Sequence, residues 1–191
     1  MNVECIIPAR GGSQRIPRKN IKPFFGRPII EYSIETALKS GLFYIVTVST
    51  DDDEIADIAK KAGASVWRRP PCDGAMGTQE VAAMILREVW VTVDVGCVLY
   101  PTAPLLLPSD LHSGFEALKG RQFSMSVGDS PLRDAGAFYF GQKKAFCDSL
   151  PLIAPHTAMV ALPENRVCDI NTMEDWARAE QLYKENHERN R

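Results

Sequence analysis

Apolar residues along this chain fall into two spacings, short unbroken runs and runs that recur every three or four positions. VECIIP, residues 3–8, is a mainly apolar run closed by a proline, as a buried strand would be. PIIEYSIETALKSG, residues 28–41, has helical spacing, with Ile29, Ile30, Ser33, Ile34, Ala37 and Leu38 on one face. Pro28 suits the first turn of that helix and Gly41 its end. YIVTVST, residues 44–50, is rich in β-branched side chains and predicts a second strand. DDDEIADIAKKAG, residues 51–63, opens on acids and closes on two lysines and a glycine, the charge order of a helix. ASVWRRP then predicts a strand, TQEVAAMILREVW a helix and DVGCVLYPTAP another strand. PSDLHSGFEALKG follows as a helix capped by Ser109 and ended by Gly120.

This alternation predicts an α/β fold: a largely parallel sheet covered by helices in three α/β/α layers, Rossmann-like, with right-handed crossovers. Past Gly120 the rhythm loosens, and FSMSV, AGAFYFG, TAMVALP and RVCDI read as strands. A last helix runs from Thr172 to about Glu188. Thr172 and Asp175 offer a capping box, and Trp176, Ala179, Leu182 and Tyr183 share a face. The tail after His187 is polar. No repeat, linker or low-complexity segment interrupts residues 1–191, which are expected to form a single domain.

A chain of 191 residues can bury a sizeable core. Its formal charge of −2 argues against a general nucleic-acid surface. No apolar run approaches the length of a membrane span, and Arg10 arrives before a signal-peptide apolar region could develop. Cys5, Cys72, Cys97, Cys147 and Cys168 are odd in number, scattered and without a C-x-x-C pair. They predict a reduced, cytoplasmic chain with no zinc site. His112 and His156 stand alone, and Trp67, Trp90 and Trp176 read as core or interface.

Against this slightly acidic background, Arg10, Arg15, Arg18, Lys19, Lys22 and Arg27 crowd into residues 10–27. Gly11, Gly12 and Ser13 stand among the first of them, directly behind the first predicted strand. Ligands of open α/β sheets bind at the carboxyl ends of strands, where this loop falls. A glycine pair there lets backbone N–H groups approach a polyphosphate while the cations neutralise it. The loop satisfies neither G-x-x-x-x-G-K-[ST] nor G-x-G-x-x-G, which disfavours a Walker-type NTPase and a dinucleotide dehydrogenase.

IPARGGS, residues 7–13, followed by RKN, residues 18–20, resembles the signature of the acylneuraminate cytidylyltransferases, which make CMP esters of nine-carbon acidic sugars. The resemblance continues through GRPIIEYSIETALKSGLF, VSTDDDEIADIAKKAGA and RRP, then YPTAPLL, DAGAFYFG and DINTMEDWARAEQLY, and so covers nearly the whole chain. YPTAPL and DAGAFYFG are most similar to the branch that activates pseudaminic acid for flagellin modification. The resemblance implies a nucleotidyltransferase of the α/β/α kind. The anomeric hydroxyl of the sugar would attack the α-phosphorus of CTP, and pyrophosphate would leave in the presence of Mg²⁺. Partners would be CTP and the sugar acid, with neither nucleic acid nor membrane.

By the same resemblance, Arg10 and Lys19 match positions that contact the triphosphate, with the backbone from Ala9 through Gly11, Gly12 and Ser13 as its cradle. Asn20 matches a nucleoside contact and Arg69 a cytosine contact, while Thr50, Asp51 and Thr102 fall beside the nucleotide. Helix capping alone would also account for Asp51. Asp169 and Asn171 match the two positions that hold the magnesium.

The chain departs from the family pattern in several places. Gln14 stands where the family has a lysine beside the phosphates, and it can donate a hydrogen bond but supplies no charge. The usual D-I-D is here Asp169-Ile170-Asn171, so one metal carboxylate is an amide. Tyr100 stands where many relatives place a glutamine. Residues 128–134, GDSPLRD, replace a longer arm that pairs two subunits and helps close the sugar pocket. The expectation is a monomer, or a dimer through another surface. A nucleotidyltransferase for another sugar acid, or a nucleotide-binding paralogue without transferase activity, is the alternative that these departures leave open.

Overall fold

The first apolar run forms β1 (Val3–Pro8). The structure is a computed structural model that describes residues 1–69, 76–88, 93–128 and 133–188. Cys72, Trp90 and the tail after Glu188 lie outside the described residues. Behind β1 the basic loop leads to a small hairpin of β2 (Pro23–Phe24) and β3 (Arg27–Pro28), then to α1 (Ile29–Ser40). Next come β4 (Ile45–Thr50), α2 (Asp53–Lys61), β5 (Ser65–Arg68), α3 (Thr78–Glu88), β6 (Val95–Leu99) and α4 (Pro108–Ala117). The rest is β7 (Phe123–Gly128), β8 (Arg133–Gln142), α5 (Lys143–Cys147), β9 (Thr157–Leu162) and α6 (Met173–Glu188).

Among the described residues, seven strands make one sheet in the order β5-β4-β1-β6-β8-β7-β9. Neighbours are parallel except at β8, which runs antiparallel to β6 and β7. This is the mostly parallel α/β sheet that the alternation predicted. The two-residue period of β1 divides the layers. Cys5 and Ile7 enter one core with Ile34 of α1, Ile55 of α2 and Leu111 of α4. Ile6 points the other way, into a core with Leu86 of α3 and Phe146 of α5. Burial on both faces is why these strands read as near-continuous apolar runs. Glu4 is the exception within β1. Its side chain is buried, Thr47 Oγ1 donates to its Oε1 at 2.8 Å, and its Oε2 has no partner among the described residues.

A third cluster lies off the sheet, made by Ile16 of the basic loop, Phe24, Ile29 and Tyr32, Ile170, and Trp176 and Ala179 of α6. It ties the start of the chain to its last helix. No helix among the described residues is long and apolar enough to cross a membrane.

Three expectations need correction. Ser109 lies inside α4 and does not cap it; Asp110 reaches back to accept from Leu107 N at 2.9 Å, with Pro108 at the first helical position. Leu38 is 46% exposed, because it sits at the rim of the α1 face against Gly63, while Tyr32 and Ser40 are buried instead. RVCDI is not a strand: a 3-10 turn spans Glu164–Arg166, and the segment after it makes no ladder. Burial of Val167 and Ile170 fixes it, so its alternating pattern reports anchoring rather than pairing.

Candidate functional site

The basic loop leaves β1 at its carboxyl end, and Ala9 N donates to Ser49 O at 2.8 Å, fastening the exit to β4. Beyond this point the loop forms one wall of a cleft of about 280 Å³, and Tyr100, Pro101 and Thr102, which follow β6, form the other. Arg10, Ser13, Gln14, Arg15, Lys19 and Asn20 line the loop side. Asn20 is buried and its Nδ2 donates to Arg10 O at 2.9 Å, which braces the loop across its own curve. Lys19 Nζ donates to Ile170 O at 2.6 Å, linking the cleft to the segment before α6.

Charge in the cleft is mixed. Burial holds the Lys19 ammonium below the usual lysine range; Arg15 and Arg10 add to this, and Asp169 and Asp175 oppose it. Three cations on one wall with a carboxylate nearby suit an anion with several negative charges, and such a ligand would relieve their mutual repulsion.

The six cations divide their work. Arg10, Arg15 and Lys19 line the cleft. Arg18 pairs with Asp52 and Glu54, and Arg27 pairs with Glu35 while lying over the Tyr32 ring at 4.0 Å. Lys22 lies 5.5 Å from the centre of the Trp176 ring.

Several sequence-derived positions support the cleft from behind. Ala9 and Thr50 are fully buried, and Thr50 Oγ1 accepts from Asp52 N at 3.1 Å. Asp51 does not cap α2; its Oδ1 accepts from Gly11 N at 2.8 Å, while Asp52 Oδ1 caps the helix through Ile55 N at 3.0 Å. Ser13 N donates to Gly11 O at 3.0 Å, closing a tight turn around Gly12. Arg69 is buried against the end of β4, its guanidinium 3.2 Å from Ser49 O. The structure therefore gathers Arg10, Ser13, Gln14, Lys19, Asn20 and Thr102 in one lining and leaves Ala9, Gly11, Gly12, Thr50, Asp51 and Arg69 outside it. Arg15, Tyr100 and Pro101 join that lining although the sequence did not single them out as site residues. Arg15 was signalled by the run of cations, and Tyr100 and Pro101 by the YPTAPLL motif. Thr78 Oγ1 lies 2.8 Å from Tyr139 Oη, and burial pushes the Tyr100 and Tyr139 phenols up.

Asp169 and Asn171 flank Ile170, whose carbonyl receives Lys19. Asn171 Nδ2 donates to Asp169 Oδ2 at 2.5 Å. Gly136, at φ +60, lets Asp169 come close: a Cβ there would lie 2.7 Å from Asp169 Cγ. Among the described residues, no group of three or more His, Cys, Asp or Glu side chains forms a metal cage. One exposed carboxylate with a neighbouring amide oxygen fits a cation that draws its other ligands from phosphate and water, as Mg²⁺ does.

Comparison with known proteins gives consistent findings. Residues 4–146 match the Cytidylyltransferase family model. Two Campylobacter jejuni proteins named pseudaminic acid cytidylyltransferase are each 39% identical to the chain, over 96% of it and 97% of their own length. An N-acylneuraminate cytidylyltransferase B of Danio rerio is 32% identical over 93% of the chain and 50% of its own length. Among solved structures, a CMP:2-keto-3-deoxy-manno-octonic acid synthetase complexed with CTP superposes with a TM-score of 0.79. It covers 97% of this chain and 100% of that one; at 15% identity the likeness is one of fold.

Proposed function

Since this chain belongs to the cytidylyltransferase family, we propose that it transfers CMP from CTP to a nonulosonic acid of the pseudaminic type and releases pyrophosphate. The observation that carries this reading is the near-full-length 39% identity to pseudaminic acid cytidylyltransferases. The three-cation cleft at the carboxyl end of β1 supports it. The anomeric hydroxyl oxygen of the sugar forms a bond to the α-phosphorus of CTP. The bond from that phosphorus to the α–β bridging oxygen breaks, pyrophosphate leaves with the bond pair, and the hydroxyl proton passes to solvent. Little covalent chemistry is asked of the protein; positioning and charge relief are what it supplies.

Arg10 and Lys19, with Arg15 beside them, take the triphosphate oxygens. Gln14 and Ser13 add neutral donors, and Thr102 borders the nucleotide from the opposite wall. Ala9, Gly11, Gly12, Thr50 and Asp51 shape the loop rather than touch the phosphates, and Asn20 and Arg69 serve the nucleoside side. Mg²⁺, held by Asp169 and the side-chain oxygen of Asn171, supplies further neutralisation of phosphate charge when bound. The chain works as a single domain in which four residues join β7 to β8. The alignment with the Campylobacter proteins runs over 225 positions, more than the 191 residues of this chain, which supports a shortened connection. A monomer, or a dimer through another face, follows from that loss.

Pyrophosphate release from CTP and Mg²⁺ tests the reading, with pseudaminic acid and N-acetylneuraminic acid as alternative acceptors. Release with pseudaminic acid is expected. Bound CTP without release in the presence of either acid would overturn the assignment.

A further inference from the structure

One cation of the basic loop faces away from the cleft. Arg18 adopts a left-handed backbone, φ +54, that residues other than glycine rarely take. Its guanidinium reaches back to the start of α2, where Nη1 pairs with Asp52 Oδ2, Nη2 donates to Asp52 Oδ1 at 3.2 Å, and Nη2 pairs with Glu54. The two-pronged grip on Asp52 fixes direction as well as distance. The Asp52 carboxylate is itself fixed, because it caps α2 through Ile55 N. It also packs against the glycine turn so closely that a Cβ on Gly11 would fall 2.6 Å from Asp52 Oδ2. Beside it, Asp51 holds Gly11 N. Both ends of the stretch from Gly11 to Arg18 are thus clasped by consecutive acids of one helix start. Arg15 lies within that stretch, and Arg10 and Lys19 border it.

We infer that Arg18, with Asp52 and Glu54, is a latch that positions the loop. It makes no contact with the nucleotide and holds Arg10, Arg15 and Lys19 at the spacing that accepts a triphosphate. This rests on reading the cleft as the CTP site. Displacement of charged groups by about an ångström is enough to cost up to roughly a hundredfold in function.

The test uses the full chain with Arg18→Gln, Asp52→Asn and the double variant. Asparagine caps helices as well as aspartate does, so Asp52→Asn removes the ion pair and keeps α2 started. CTP affinity by calorimetry with Mg²⁺ present should weaken about tenfold in each single variant. The double variant should lose little more, because both changes open the same latch. Thermal midpoints without ligand should barely move, and amides of residues 10–20 should exchange faster with deuterium. Wild-type affinity in both single variants, or unchanged exchange, would overturn the latch. If the unaltered chain fails to bind CTP, the proposed function falls and takes this inference with it. If it binds and the variants bind equally, only the latch falls.

Discussion

Lys19 is asked to carry a charge in a place that resists it. Burial and the neighbouring Arg15 and Arg10 hold its ammonium below the usual lysine range, and Asp169 compensates only in part. A group depressed in this way loses its proton at a lower pH than an exposed lysine does. The rate of CTP use should therefore decline on the alkaline side before the ordinary lysine range is reached. In Lys19→Arg that decline should move to higher pH, and a pH profile of kcat/KM for CTP checks it. Gln14 and Asn171 pose the complementary question. Gln14→Lys adds a cation to a wall already crowded with three, and Asn171→Asp adds a carboxylate beside Asp169. Together they should raise turnover about tenfold or more, read as pyrophosphate release, since single charge-bearing contacts of this kind are worth 10² or more. The cleft-lining cations were legible because they sit within one short stretch. Which acid of Asp51 to Glu54 caps α2 was not, since four consecutive carboxylates give the same pattern whichever one turns inward.

Elements rather than residues decide where Asp169 goes. The segment after β9 has no ladder, so its course depends on Ile170 in the third cluster and on the start of α6. That start is the predicted capping box: Asp175 N donates to Thr172 Oγ1 at 3.2 Å, and Thr172 N to Asp175 Oδ2 at 2.7 Å. Asp175 also accepts from Asn171 N at 2.9 Å, so the cap steadies the residue beside the candidate metal position. Thr172→Ala should cost about 1 kcal/mol of stability, measured by denaturant unfolding. The box was readable because its partners are three residues apart. The path of residues 166–171 was not, because two of its anchors, Ile16 and Phe24, are distant in sequence and its local alternation mimics a strand.

At the scale of the whole molecule, Glu4 sets a pH dependence for stability. Burial raises its carboxyl above the usual range, against the hydrogen bond from Thr47 and the charge of Lys143. A carboxyl raised on folding favours the folded state below its unfolded pKa, and that advantage is lost as pH rises through the folded value. Glu4→Gln removes the charge, so it should raise stability near pH 8 by on the order of 1 kcal/mol, with the gain shrinking as pH falls through the raised folded value and largely gone by about pH 4. Thermal melts across pH check this. The third cluster joins the two ends of the chain: it needs Ile16 and Phe24 from near the beginning, Ile170 from the segment before α6, and Trp176 and Ala179 from α6 itself. During synthesis the basic loop therefore emerges long before the partners that seat Ile16 and receive Lys19. An incomplete chain still on the ribosome holds the cations without their anchor, and the cleft is finished only when the last helix arrives.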